Sequence, residues 1–185
     1  MNEQSTGSGG IMAECDLNHA FVASDHHFRD WTHLGGVLAE STQEEEARHI
    51  ELWNSVVGKD DLVLYVGDFC DGGGGDLEEL GGKLNGRKVL IKGNHDGLND
   101  EWYRFVFEDV LKELRIGALN VRLIHVKEEA KDLQPGERII YGHEHRLMSE
   151  PPPTTGDSIC VCAKWHGWKP IALAEAIRQM DSVQS

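Results

Sequence analysis

Residues 89–96 read VLIKGNHD, a short apolar run followed at once by a lysine, a glycine and three further polar residues. A run of Val, Leu and Ile this short is typical of a buried β-strand. Four other segments repeat the pattern, an apolar run with Asp or His close behind it: 20–27 (AFVASDHH), 62–71 (LVLYVGDFCD), 121–125 (VRLIH) and 139–145 (IIYGHEH). The sequence therefore predicts at least five buried strands whose carboxyl ends carry polar side chains.

Helical patterns separate some of these strands. Ser41 and Glu44 offer a capping box, overlapped by Thr42 and Glu45, ahead of an apolar stripe. Further helices are predicted over residues 76–84, 101–114 and 171–180, with a late strand at 159–163. Strands alternating with helices favour an α/β domain. Because loops separate the later strands, a mixed sheet or two packed sheets is expected rather than one parallel sheet.

The chain has 185 residues, which is room for one domain with a real core. We expect a disordered tail over residues 1–16, rich in Ser and Gly, and a single domain over residues 17–181. No apolar run reaches the length of a membrane span, and the start lacks the features of a secretory signal. The expected location is the cytoplasm.

Net charge is −14, from 32 acidic and 18 basic residues. A general nucleic-acid binder needs a basic stripe to displace counterions from phosphates, so nucleic acid is not the expected partner. An acidic protein can still hold a phosphate if bound cations supply the local positive charge.

The four cysteines are Cys15, Cys70, Cys160 and Cys162. They form no C-x-x-C pair, so a zinc ribbon is not expected. Free thiols in a reducing compartment are the simplest interpretation. Because Cys160 and Cys162 alternate along an apparent strand, they are predicted to point to the same face.

The polar residues after the strands are candidate metal ligands, since ligands bind outside the carboxyl ends of strands in open α/β sheets. They are Asp25, His27, Asp68, Asn94, His125, His143 and His145. Oxygen and imidazole together suit manganese, iron, zinc or nickel better than calcium. Ordinary turn polarity is the alternative for the set, and a buried core histidine is the alternative for His125. His26 is expected to face solvent, because neighbours on a strand face opposite sides.

Taken in order, the motifs Asp25-x-His27, Gly67-Asp68-x-x-Asp71, Gly93-Asn94-His95-Asp96, His125 and Gly142-His143-x-His145 resemble the calcineurin-like metallophosphoesterase family. The resemblance covers residues 21–174 and is closest to small bacterial and phage members without a cap domain. It implies a four-layer α-β-β-α sandwich of two mixed β-sheets flanked by helices.

The resemblance also implies a role for each motif residue. Asp25, His27 and His145 would hold one divalent cation, Asn94, His125 and His143 a second, and Asp68 would bridge both. His95 would protonate the leaving group, oriented by Asp71 or Asp96, which could otherwise be simple turn residues. His95 itself could instead be a structural residue beside the ligands.

The implied activity is hydrolysis of phosphodiesters, phosphomonoesters or both by a hydroxide bridging two cations. Manganese is the first expectation for the metal, with iron, zinc, nickel and cobalt as alternatives. The expected substrate is a small phosphoester, nucleotide-like in character, with diesters slightly favoured.

Departures from the protein-phosphatase branch narrow this expectation. That branch typically has Asp-Arg-Gly in its second motif and Glu after Asn-His, whereas this chain has Asp71-Gly72-Gly73 and Asp96. A protein Ser/Thr phosphatase is therefore disfavoured. Two other functions remain as alternatives: a non-catalytic metal-binding scaffold, which the presence of His95 disfavours, and a metal-dependent nuclease, which the charge disfavours.

Overall fold

The computed structural model describes residues 19–29, 39–145 and 149–183, and the side chains of residues 39–42 are not part of that description. The described strands are β1 (Ala20–Ala23), β2 (Leu62–Tyr65), β3 (Arg87–Ile91), β4 (Asp109–Leu111), β5 (Glu113–Ile116), β6 (Val121–Ile124), β7 (Arg138–Tyr141), β8 (Ser158–Cys160) and β9 (Ile171–Ala172). The described helices are α1 (Ala39–Asn54), α2 (Gly74–Lys83), α3 (Asp100–Tyr103) and α4 (Leu173–Val183). The tail predicted over residues 1–16 and the capping side chains of Ser41 and Thr42 lie outside the described residues.

The strands form two mixed sheets. The first has the order β4-β3-β2-β1-β9, in which β1 to β4 are parallel and β9 is antiparallel to β1. The second has the order β5-β6-β7-β8, in which β5 is antiparallel and the other three are parallel. The predicted α/β fold of two mixed sheets flanked by helices is therefore confirmed.

A continuous apolar core lies between the two sheets. It joins Val22 and Leu64 of the first sheet to Leu123 and Ile140 of the second, and α4 adds Met180. Along β2 the side chains alternate between this core and the opposite face. All four residues of β2 are buried, which explains why its sequence reads as an unbroken apolar run.

Helices cover the outer face of the first sheet. Trp53 of α1, Leu77 of α2 and Tyr103 of α3 pack there against Val63 and Tyr65 of β2. The outer face of the second sheet carries a smaller cluster that includes Cys160 and Cys162, covered in part by Trp165 from a 3₁₀ turn (Ala163–His166). The prediction that Cys160 and Cys162 share a face is confirmed. No helix in the described ranges is long and apolar enough to cross a bilayer.

The helix predicted over residues 101–114 is wrong for most of its length. Only Asp100–Tyr103 is helical, and the chain then forms β4 and β5. Val110 pairs with Leu90 at the edge of the first sheet. Sheet pairing, which depends on distant residues, outweighed the local helical spacing. Gly74 and Gly75, from the glycine run that follows Asp71, lie in the first turn of α2.

Shortening a side chain between the sheets should destabilise the whole fold. Ile140 is fully buried there, so Ile140→Ala should lower the free energy of unfolding by about 2–5 kcal/mol, because it leaves a cavity. Urea unfolding measures this change. Val183→Ala, at a side chain that is 55% exposed, is the control and should change stability by less than about 0.5 kcal/mol. Equal effects of the two substitutions would place the core elsewhere.

Candidate metal centre

All seven predicted ligands lie where the carboxyl ends of strands from the two sheets converge. The loops after β1, β2, β3, β6 and β7 carry them. Their ligand atoms lie within 4.8 Å of one another in two groups: Asp25, His27 and His145, and Asp68, His125 and His143. A third group that meets the same distance joins His27 to Asp71 and His95. Asn94 joins the second group, since its Oδ1 lies 3.1 Å from Nε2 of His125. The structure therefore contains His and Asp groups that could bind a metal.

Asp68 lies between the two groups. Its Oδ2 is 3.6 Å from Nε2 of His27 and 3.2 Å from Nε2 of His125. Its Oδ1 accepts the backbone N–H of His95 at 2.8 Å. One carboxylate oxygen therefore faces both groups while the backbone holds the other.

Hydrogen bonds from the Nδ1 atoms to oxygen acceptors orient two of the imidazoles, those of His125 and His27. Nδ1 of His125 donates to the carbonyl of Val66 at 2.7 Å, since a carbonyl can only accept. Nδ1 of His27 lies 2.7 Å from Oδ2 of Asp71, an acceptor likewise. In both rings Nε2 is then the atom directed at Asp68, which is the arrangement typical of metal-ligating histidines.

Nearby carboxylates favour positive charge on two of the histidines, whereas burial lowers the pKa of a third, His145. Burial lowers the pKa of His125, but its hydrogen bond to Asp68 and the charges of Asp25 and Asp68 outweigh that effect and raise the pKa to about 9. Burial also lowers the pKa of His27, but nearby carboxylates outweigh this effect and raise it. Asp71 contributes most to the increase. A proton on the Nε2 atom of these rings occupies the lone pair that a divalent cation would use. The carboxylates that favour this proton would also favour a cation in its place, so the donor set fits a metal.

Four of the seven predicted ligands have left-handed backbone conformations. The φ angles are 57° at Asp25, 46° at His27, 58° at Asp68 and 72° at His143. Such angles are uncommon for residues other than glycine and persist where the surroundings enforce them, often at functional sites. Asp25 and His27 converge through these turns rather than through the side-chain alternation of an extended strand.

His26 is buried, so the prediction that it faces solvent is wrong. Its ring stacks on Phe28 with centroids 5.0 Å apart, and its Nδ1 lies 2.9 Å from the Tyr65 hydroxyl. The reason is the same pair of left-handed residues on either side of His26, because they end the alternation that a strand would impose. His26 thus anchors the loop that presents Asp25 and His27.

Three glycines make room for ligands that belong to other loops. A Cβ atom on Gly67 would overlap Nδ1 of His125, and one on Gly93 would overlap Oδ1 of Asp68. On Gly142 it would lie 2.7 Å from Oδ2 of Asp25, closer than the 3.0 Å that real Cβ atoms keep. Of the three, Gly67 also has a positive φ of 85°. Each of these glycines therefore leaves space for a predicted ligand from a neighbouring loop, and each also directly precedes a predicted ligand in its own loop.

His95 lies at the rim of the centre, with a side chain that is 29% exposed. Its Nδ1 is 3.2 Å from Oδ1 of Asp71, so Asp71 contacts both His27 and His95. Of the two carboxylates expected to orient His95, the structure places Asp71 there.

Asp96 braces the backbone of the two loops that flank the centre. It accepts the N–H groups of Asp68 at 2.8 Å, Phe69 at 3.1 Å and Gly93 at 2.8 Å. Burial raises the pKa of Asp96, although these three N–H groups oppose the shift. Its contacts are those of a structural carboxylate.

A contact between Cys162 and the predicted ligand Asp25 could not be read from the sequence. The buried thiol of Cys162 lies 3.0 Å from Oδ2 of Asp25. Burial is the main cause that raises the pKa of the Cys162 thiol far above its usual range, so the thiol is protonated and can donate. The shared face of Cys160 and Cys162 was readable from the sequence, but the contact to Asp25 needed the register between two sheets.

Comparison with known proteins identifies relatives whose names state no activity. The chain is 34% identical over 143 residues to the Gene 66 protein of Mycobacterium phage L5, which covers 60% of this chain and 69% of that relative. The chain therefore belongs to the phage Gene 66 protein family. The Gene 66 protein of Mycobacterium phage D29 is 39% identical to this chain over 87 residues. The match covers 45% of this chain and 38% of the length of the D29 protein.

More distant relatives extend beyond phages. The uncharacterized protein MJ1445 of Methanocaldococcus jannaschii is 26% identical over 172 residues, covering 89% of this Gene 66 family chain and 93% of the archaeal protein. A solved structure, the protein of unknown function AQ665 from Aquifex aeolicus, superimposes with a TM-score of 0.59 at 20% identity. It covers 84% of this chain and 96% of its own, so the two share a fold. No family model matches the chain.

Gly93→Ala should damage the centre without damaging the helices. The added methyl would overlap Oδ1 of Asp68, so we expect this variant to bind less Mn²⁺ than the unsubstituted protein, as measured by calorimetric titration. Gly82→Ala is the matched control, because nothing lies within 4 Å of a Cβ at that position in α2. Normal Mn²⁺ binding by Gly93→Ala would show that Asp68 is not needed in its present position.

Proposed function

We propose that this Gene 66 family chain is a dinuclear metal-dependent phosphoesterase of the calcineurin-like type. The observation that carries the proposal is the position of Asp68, whose Oδ2 lies 3.6 Å from Nε2 of His27 and 3.2 Å from Nε2 of His125. A carboxylate shared between two histidine-containing groups is what a pair of cations requires. The order of the five motifs along the chain supports the same assignment.

The donor atoms indicate which cations would bind. Carboxylate, amide and imidazole donors suit first-row divalent metals, with manganese preferred and iron, zinc, nickel or cobalt as alternatives. One cation would be held by Asp25, His27 and His145, the other by Asn94, His125 and His143, with Asp68 shared. When bound, two such cations supply positive charge to phosphate oxygens and lower the pKa of water at the site.

His95 is the proposed general acid. Asp71 accepts from its Nδ1, which fixes the ring, so Nε2 would be the atom that donates to the leaving-group oxygen. The partial exposure of His95 allows a substrate to reach it. Asp71 also orients His27, and this links the acid to the first group of ligands.

The proposed substrate is a small, nucleotide-like phosphoester, with diesters favoured over monoesters. Asn94 and His143 are exposed at the mouth of the centre, so it is open on that side. Among the described residues there is no insertion large enough to form a cap domain over it. An open site with few enclosing walls suits small and varied esters better than one fixed substrate.

A metal-dependent substrate screen tests this proposal. The protein is stripped with a chelator and dialysed, and it is then assayed on bis(p-nitrophenyl) phosphate and p-nitrophenyl phosphate with Mn²⁺, Zn²⁺, Ni²⁺ or no added metal. We expect hydrolysis only with metal, fastest with Mn²⁺ and on the diester. Metal binding without hydrolysis of any ester would indicate a scaffold instead, and full activity after stripping would contradict the metal mechanism.

Replacing the shared carboxylate should remove a cation. Asp68→Asn keeps the shape but removes the negative charge that two metals would share, so we expect loss of at least one bound Mn²⁺ and of most turnover. Elemental analysis and the nitrophenyl assay measure the two effects. Asp60→Asn, at an exposed position before β2, is the control and should retain both. Two metals and full activity in Asp68→Asn would show that another group forms the bridge.

His95→Ala should separate acid catalysis from metal binding. We expect near-normal metal content, with turnover on alkyl esters reduced by roughly 10²–10⁴-fold, the usual contribution of a general acid. The loss should be smaller on nitrophenyl esters, whose leaving group departs without a proton. Equal losses on both substrates would mean that His95 binds the phosphate, and loss of metal would place it among the ligands.

A further inference from the structure

The two sheets are joined beside the metal centre. Ser24, directly after β1, forms an isolated parallel bridge with Cys162, which follows β8. The N–H of Ser24 donates to the carbonyl of Val161 at 3.1 Å, and the N–H of Ala163 donates to the carbonyl of Ser24 at 2.9 Å. This junction fixes Cys162 next to Asp25, the first predicted ligand in the chain.

The two oxygens of Asp25 have different surroundings. Oδ2 lies 3.0 Å from the sulfur of Cys162, whose side chain is fully buried. Oδ1 faces the imidazoles, 3.3 Å from Nε2 of His145 and 4.0 Å from Nε2 of His27. The N–H of His143 lies within 3.1 Å of both oxygens and so does not distinguish them. Apart from the imidazoles themselves, the thiol is the described contact that distinguishes the two oxygens.

The direction of the thiol hydrogen follows from the neighbouring cysteine. Cys160 donates to the sulfur of Cys162 at 3.2 Å, and Cys162 donates in turn to Asp25. A thiol has one hydrogen, so accepting from Cys160 leaves the hydrogen of Cys162 for the carboxylate. The three side chains form a short chain of donors that ends on Oδ2.

We propose that Cys162 is a positioning residue that turns Asp25 so that Oδ1 is the atom presented to a cation, an inference that rests on the proposed function. Residues that hydrogen-bond to a metal-ligating side chain without contacting the metal typically contribute 10–100-fold to metal affinity. Because a thiol is a weak donor, the effect of Cys162 belongs at the low end of that range, about tenfold.

Calorimetric titration with Mn²⁺ tests the proposal on four metal-free proteins: the unsubstituted chain, Cys162→Ala, Cys162→Ser and Cys160→Ala. Cys162→Ala should bind one of two Mn²⁺ ions about tenfold more weakly. Cys162→Ser keeps a donor and should stay close to the unsubstituted affinity. Cys160→Ala removes the donor to Cys162 but keeps the thiol that faces Asp25, so its affinity should fall by less than that of Cys162→Ala.

A double substitution separates positioning from a general loss of packing. If Cys162 acts through Asp25, adding Cys162→Ala to Asp25→Asn should weaken Mn²⁺ binding no further. An additive loss would overturn the proposal. Two ions bound with unchanged affinity by Cys162→Ala would overturn it and leave the proposed function intact, whereas no Mn²⁺ binding by the unsubstituted chain would overturn both.

Infrared spectroscopy provides a readout that does not depend on the folding of Cys162→Ala. The S–H stretch that disappears in Cys162→Ser belongs to Cys162, and donation to a carboxylate lowers its frequency. In Asp25→Asn, where the acceptor is a neutral amide, this band should move to higher frequency. A band that stays in place would show that the thiol does not donate to Asp25.

Discussion

The carboxylate of Asp68 lies between two imidazoles, and the loops around it are built to keep it there. The N–H of His95, in the loop after β3, donates to Oδ1 of Asp68. In return, Asp96 of that loop accepts the N–H of Asp68, in the loop after β2. Gly93 leaves the space that the carboxylate occupies. Burying a charge costs free energy unless it is paired and hydrogen-bonded, and these contacts meet that condition.

The sandwich places this carboxylate by bringing two sets of strand ends together. β1, β2 and β3 run parallel in one sheet and β6 and β7 in the other, so their carboxyl ends gather at one end of the domain. Backbone pairing continues past the strands, where the N–H of Asp25 donates to the carbonyl of Gly67 and the N–H of His27 to that of Asp68. Backbone hydrogen bonds therefore hold these left-handed residues in place, which allows the strain to persist.

Much of this could be predicted because the information was local. Apolar runs with Asp or His close behind them predicted the strands and the residues that come together at the strand ends, since strand-end geometry follows from periodicity and turn chemistry. What depended on distant partners was wrong or missed. The segment 101–114 became largely strand because β3 offered an edge, and His26 turned inward because its neighbours left the extended conformation. Neither the choice of Asp71 at His95 nor the contact of Cys162 with Asp25 could be read without the register between loops.

Anomalous X-ray diffraction from crystals grown with Mn²⁺ tests whether Asp68 joins two cations, because it locates cations without reference to activity. We expect two manganese peaks, one among Asp25, His27 and His145, the other among Asn94, His125 and His143, with Asp68 in contact with both. A single peak, a peak held by His27, Asp71 and His95, or no peak at saturating Mn²⁺ would contradict a dinuclear centre bridged by Asp68.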